Sequence, residues 1–436
     1  MRAPFVLALL ALTALAGCSD DAPADDGAEP VAPLVDALAA YNAGEASANI
    51  ERLGDWAGGT QEIDAWSHYL FVDDDADVQI LDVADPLNIV EVGRFTGLVD
   101  IQDVKVSDDG QWLFIGNDEE ASMTPLGGVA RAGGFYVVDV SDKTSPELKS
   151  YLPVGPRRGP HMVYYHQTAD GDELVFGANA DISINRFDRA SGTLTELARY
   201  QADLVSAYNR DPAVFDAYYQ GYAHDMVVMD DPATGKTLMS VANWDAGLRI
   251  VDITEPSNPV ELAGWNDFPE GHEGNLHTVA TDRIGDRTIT VGAVEVGFAI
   301  VGGVAYATNT DRSIVYVWDT TDPANLLLLG TWENPDGLPS DRDYIEGASS
   351  STHNLQLESG RIYLAHYTMG LFVLDVSTPE LQEGPGLLAY RDEPDDNVWD
   401  VILEDGILYA SDEVQGIVAL HYTQDLVGPN GIDSRA

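Results

Sequence analysis

The sequence predicts an all-β fold, a seven-bladed β-propeller of four-stranded blades closed by an N-terminal strand that completes the last blade. Three observations predict it. First, one phrase recurs: an apolar strand, an Asp, a turn with Ser/Thr and Pro, then another strand. The clearest copy is GLRIVDITEPSNPVEL at 247–262, and others begin near 78, 135, 315 and 371. A weaker copy spans 184–197, and IVALHYT at 417–423 keeps the strand but loses the Asp. Second, seven segments start with a marked residue and then alternate, as in HDMVVM at 224–229 and QDVKVS at 102–107. Third, the final repeat ends near Tyr422 without a fourth strand, while ANIERLGDW at 48–56 looks like the fourth strand NIVEVGRF at 88–95. Self-similarity at this spacing marks a repeat architecture, and closing the ring leaves no bare sheet edge.

The elements follow in chain order. Residues 1–17 are an apolar run behind one Arg, too short to span a membrane, and read as a signal peptide. Leu15-Ala16-Gly17-Cys18 resembles a bacterial lipobox, in which Cys18 carries lipid. Cys18 is the only cysteine, so the chain has no disulfides. Ser19 after it resembles an outer-membrane or cell-surface destination in a Gram-negative bacterium. Residues 18–46 combine that anchor, a flexible acidic tether and a short helix over 34–44. The propeller occupies 47–425, and 426–436 form a tail.

Within the propeller, first strands start near Ile63, Gln102, His161, His224, His277, His353 and Trp399. Gly-containing turns lead to second strands such as RIYLAHY at 361–367. The repeated Asp and Ser/Thr hold the turn after the third strand, and Pro pre-sets its φ. A count of six or eight blades would follow from dividing blade 3 or the long blade 5 differently. The stretch 289–307 is apolar but carries Glu295 at its centre and four glycines, so it reads as two strands of a hairpin rather than a membrane span.

LRIVD at 248–252, with FYVVD, VQILD, VYVWD and LFVLD, resembles the LVIVD-repeat proteins, cell-surface propellers of bacteria and archaea. The resemblance implies fold and location. It implies no common activity.

Composition narrows the partners. The net charge is −51, from 22 basic and 73 acidic residues, with only four lysines. Such a surface repels nucleic acid and attracts cations. The chain has no Gly-rich phosphate loop, HExxH or G-x-S-x-G.

Four of the seven first strands open on histidine. Equivalent starts lie near one face of the channel, so His161, His224, His277 and His353 should gather there. Neutral imidazoles suit Fe, Cu, Zn and Ni, and a four-His set resembles the iron site of carotenoid-cleaving oxygenases. The same histidines also fit a structural role, tying turns together as in other propellers. The long loops 201–223, 266–275 and 333–352 lie on this face. The first carries Tyr208, Phe215, Tyr218, Tyr219 and Tyr222, suited to sugar or peptide faces. Gln102 and Trp399 fill two other slots as candidate ligand contacts. Asp-rich turns at 73–77 and 230–235 suit solvent, with Ca²⁺ as the other reading. The readings that follow are a lipid-anchored module binding a cell-surface protein or glycan, a metal-dependent redox enzyme, and an envelope component held by Ca²⁺.

Overall fold

The computed structural model describes residues 46–423 except 48, 59, 75, 99, 119–123, 127–128, 132, 155–158, 203–221, 269–273, 296–297, 302–303, 308–312, 334–350, 379–385 and 392–395. The signal segment, Cys18, the 34–44 helix, the tail, Tyr208, Phe215, Tyr218 and Tyr219 lie outside the described residues.

Seven four-stranded antiparallel sheets are present, with no helix among the described residues. Strand β1 (Ile50–Trp56) precedes blade 1, which is β2 (Ile63–Trp66), β3 (Tyr69–Asp73), β4 (Val78–Asp82) and β5 (Val90–Phe95). Blade 2 contains β6 (Ile101–Val106), β7 (Trp112–Asn117), β10 (Gly134–Asp139) and β11 (Glu147–Pro153), with the ribbon β8 (Thr124–Leu126) and β9 (Val129–Arg131) inserted. Blade 3 is β12 (Met162–Gln167), β13 (Glu173–Asn179), β14 (Asp181–Asp188) and β15 (Thr193–Tyr200). Blade 4 is β16 (Asp225–Asp231), β17 (Lys236–Ala242), β18 (Leu248–Asp252) and β19 (Val260–Trp265).

Blade 5 is β20 (Leu276–Ile284), β21 (Arg287–Val294), β24 (Ile314–Asp319) and β25 (Leu327–Glu333), with the ribbon β22 (Phe298–Val301) and β23 (Val304–Ala307) inserted. Blade 6 is β26 (Leu355–Glu358), β27 (Arg361–Ala365), β28 (Leu371–Asp375) and β29 (Gly386–Arg391). Blade 7 is β30 (Val398–Glu404), β31 (Ile407–Asp412) and β32 (Gly416–Tyr422), finished by β1. The pairing Ile50↔Tyr422 through Trp56↔Ile417 is the closure that the N-terminal segment predicts.

The apolar stretch 289–307 divides differently from the single hairpin expected. Its first part is β21, paired to β20 and β24. Only 298–307 folds back on itself as β22–β23.

The recurring Asp holds the turn that follows it. In six blades (Asp82, Asp139, Asp188, Asp252, Asp319 and Asp375) a carboxylate oxygen accepts the backbone N–H two residues on, at 2.8–3.0 Å. This short-range bond ends the third strand and starts the turn. A bulge then recurs in the pairing of third and outermost strands in all seven blades. It adds twist to each sheet. Gly93 beside that bulge in blade 1 is tight: a Cβ there would lie 1.9 Å from the Lys143 carbonyl oxygen of the next blade.

Seven separate apolar clusters fill the spaces between neighbouring blades, including the space between blades 7 and 1. The third strands, the phrase that repeats, contribute Ile80, Val138, Ile250, Val317 and Phe372, each buried. Polar staples join innermost strands at the axis. Asp64 accepts the N–H of Val106, Asp103 that of Val163, Asp225 that of Val279, and Asp400 that of Ile63, at 2.7–3.2 Å. Gln356 takes the N–H of Leu403 in the same way. Each group satisfies a neighbour's backbone where a buried amide would otherwise lack a partner.

Candidate metal centre

The slots expected to hold histidine lie where the innermost strands begin. His161 and His224 immediately precede β12 and β16, His277 is the second residue of β20, and His353 stands two residues before β26. The residues that follow them, Met162, Asp225, Thr278 and Asn354, line the channel cavity. Their rings form a continuous arc: His161–His224 centroids are 4.6 Å apart, His224–His277 3.8 Å and His277–His353 4.4 Å. The expectation that four blades would bring their histidines together is met.

Among the described residues, His277, Glu295 and His353 form a group that could hold a metal ion, with one donor atom of each within 4.8 Å of the others. Glu295 follows β21 and reaches His277 Nε2 at 3.6 Å. The signal for it was its solitary charge in an apolar stretch. Across blade 2, Asp118 stands in the corresponding place after β7 and meets His161 Nδ1 at 3.3 Å. Asp118 is itself held by the Asn179 amide at 2.6 Å.

Hydrogen bonds fix ring orientation. His353 Nδ1 donates to the Trp399 carbonyl at 2.8 Å, which leaves Nε2 with a lone pair. The His224 and His277 rings face the backbone of the next blade's histidine in the same sense, although Nδ1 of each makes no hydrogen bond of good geometry. A carbonyl or carboxylate behind an imidazole is the usual support of a metal-ligating histidine.

Electrostatics favour neutral donors. Burial holds His224 and His277 well below the ordinary histidine range, helped by the neighbouring imidazoles, and holds His353 down at about 3. Burial pushes Glu295 up to about 7. The His277–Glu295 contact is therefore not an ion pair near neutral pH. A divalent cation would compensate both effects, because it favours an ionised carboxylate and an unprotonated imidazole.

Aromatic rings enclose the layer. Trp244 stacks on His224 at 5.3 Å, and Tyr367 lies 4.9 Å from His353. Both sit in tight turns between second and third strands with positive φ, 42° for Trp244 and 32° for Tyr367. Bulky residues rarely accept that conformation, and such strain collects at functional sites. Tyr367 donates its hydroxyl to Glu295 at 2.7 Å. Tyr222 is buried against His161, His224 and Trp244. Trp399 packs on His353 with centroids 4.8 Å apart. Gln102 instead gives its amide to Asp100.

The Asp-rich turns hold backbone. Asp74 accepts the N–H groups of Ala76 and Asp77, and its neighbour Arg94 reaches Asp77 at 3.3 Å. Asp231 accepts those of Ala233 and Thr234.

Comparison with known proteins agrees with this architecture. The LVIVD repeat family matches residues 57–97, 129–152 and 239–267. No curated protein matches the chain. The β-propeller domain of Myceliophteria_thermophila Cps50 (Swd1) is similar, with 12% identity and a TM-score of 0.54 over 85% of this chain and 98% of that one. Saccharomyces cerevisiae Sqt1 is similar at 9% identity and a TM-score of 0.55, over 86% of this chain and 99% of that one. At these identities the likeness is one of fold. The chain is thus a seven-bladed β-propeller that carries LVIVD repeats.

Proposed function

We propose that the chain is a ligand-binding propeller whose working centre is a transition metal at the histidine end of the channel. His277, Glu295 and His353 hold the ion, and His224 and His161 stand beside them. The observation that carries this reading is the approach of the three donor atoms within 4.8 Å of one another. Two neutral imidazoles and one carboxylate suit Fe(II) or Zn²⁺. Three protein ligands leave coordination positions open, which distinguishes a reactive site from a closed structural one. This favours a metal-dependent activity over a plain interaction module.

Location is part of the proposal. The lipobox-like LAGC ending at Cys18, Ser19 after it and the acidic tether support an exported protein anchored by lipid, in or on a Gram-negative outer membrane. The dense negative charge supports cation accumulation and opposes nucleic-acid partners.

Elemental analysis of protein purified without a polyhistidine tag tests the metal. The expected result is about one equivalent of Fe, Cu or Zn, set by a single three-ligand site. A His277→Ala/His353→Ala variant that keeps its strand circular dichroism should lose that metal. Protein that retains no transition metal after incubation with each ion retires the centre and leaves an interaction module using the same face.

A further inference from the structure

Beyond the histidine layer the channel holds a cavity of about 440 Å³, a volume in the range of small-molecule sites. It extends to Ser107 and Asp108, in the turn after β6 at the other end of the channel. The metal ligands themselves are closed off: His277 is 1% and His353 6% exposed. Tyr222, Trp244 and Tyr367, which pack on the layer, are buried too. A substrate of the ion needs an approach, and the cavity is a space that adjoins the layer.

One side chain stands between them. Glu62 lies just before β2 in blade 1, and its backbone is pinned to Asp73 by two hydrogen bonds of 3.1 and 3.3 Å. Its carboxyl nevertheless accepts the Asn354 amide of blade 6 and lies 3.9 Å from His353 Nδ1. Blade 7 comes between blades 6 and 1 in the ring, so the side chain reaches past it across the channel. Glu62 thus lines the cavity and also meets a metal ligand. Opening the cavity toward the layer requires this side chain to leave Asn354. A rotamer change does that, with no strand displaced.

The walls define what the cavity takes. Asp64, Asp225 and Asp400 accept backbone N–H groups of neighbouring blades, and Lys105 is bonded to Asp103. These charged groups are engaged by the ring itself. Between them lie Met162, Met226, Val227, Leu355 and Ile402. Such a wall favours a small neutral, largely apolar molecule over an ion.

We propose that the cavity is the substrate chamber of the metal centre, that it admits a small neutral molecule from the end of the channel opposite the histidines, and that Glu62 is the gate between chamber and ion. This inference rests on the metal centre proposed above.

The full chain, loaded with Fe²⁺ and carrying Cys18→Ser and Ile402→Cys, tests the route, because the thiol in the cavity wall is then the only one. The probe is bipyridine, a neutral chelator, and the readout is the rate at which its red Fe²⁺ complex forms. Labelling the thiol with a bulky methanethiosulfonate should slow removal at least about tenfold, a modest rise in barrier, and release of the label should restore the rate. The same label on Leu87→Cys, at an exposed position, should change nothing. Glu62→Ala should speed removal, whereas Glu62→Gln, which can still accept from Asn354, should keep the parent rate. Unchanged removal from labelled Ile402→Cys protein, or equal slowing by the label on Leu87→Cys, overturns the route. Parent-like removal from Glu62→Ala overturns the gate. Should Ile402→Cys fail to fold, Val227→Cys in the blade 4 wall takes its place. A parent chain that takes up no metal retires the centre itself, a result distinct from metal that is bound and leaves past the label unhindered.

Discussion

Asp103 Oδ2 accepts the backbone N–H of Val163 at 2.7 Å across the boundary between blades 2 and 3, while its Oδ1 holds Lys105. One fully buried carboxylate thus fastens two blades and neutralises the one ammonium in the channel. Asp103→Ala leaves a buried amide and a buried ammonium without their partner. We expect a loss of about 3 kcal/mol, read from chemical denaturation. Asp103→Asn retains one acceptor and should lose less. Equal stability of all three proteins would show the staple to be inert.

Acid should affect the ring through Asp64 and Asp400. Their folded values of about 6 and about 7 exceed the unfolded value near ~3.9. Between about pH 4 and 7 the folded chain therefore holds more protons, and their contribution to stability falls as pH rises. The buried histidines work the other way: below about pH 6.5 the unfolded chain takes up protons that folded His224, His277 and His353 refuse. Replacement separates the two effects. Asp400→Asn should melt above the parent at pH 8, with the gap closing by pH 5. A gap independent of pH contradicts the assignment.

Gly93 allows the turn of blade 2 to approach the outer strand of blade 1. Gly93→Ala places a methyl 1.9 Å from the Lys143 oxygen, so the backbone must shift. A cost of about 2 kcal/mol or more is expected from thermal melting. Gly171→Ala offers a contrast, since nothing lies within 4 Å of its Cβ position, although its φ of 88° retains some strain. The first variant should be the less stable of the two.

At the proposed metal centre the tyrosine behind Glu295 would act as a positioning residue. Tyr367→Phe removes the hydroxyl that orients that carboxylate. Metal affinity, measured by competition with a chelating dye, should fall about 10- to 100-fold while the melting temperature of metal-free protein barely moves. A matching loss in the metal-free protein would assign Tyr367 to packing alone.

Deletion of residues 1–57 removes β1 and exposes the edge of β32. The truncated chain should melt earlier and less cooperatively, and form concentration-dependent oligomers in size-exclusion chromatography. A monodisperse truncated monomer with the parent's melt would show the seventh blade to be complete without β1.

What was legible beforehand was whatever repeats along the chain. The strand–Asp–turn phrase revealed the third and fourth strands because a two-residue hydrogen bond is local. The likeness of ANIERLGDW to NIVEVGRF revealed the closure. The four histidines were visible because they occupy one register of the repeat. Glu295 and Tyr367 were not assigned to the site, since each comes from a loop between second and third strands and meets the histidines only through the ring. The Asp after four of the slots, as in HD, QD, WD and ID, was in plain view as a repeated dipeptide. Its partner, however, is an amide on the next blade, and no spacing within one repeat encodes that.

Strands near the two ends of the described chain meet in one ladder, with Ile50 opposite Tyr422. Because β1 and β32 run antiparallel, tension between the termini loads that pair at one end. Pulled this way, the ring should unzip one bond at a time at low force, whereas a lengthwise slide of the two strands would have to break the whole ladder together.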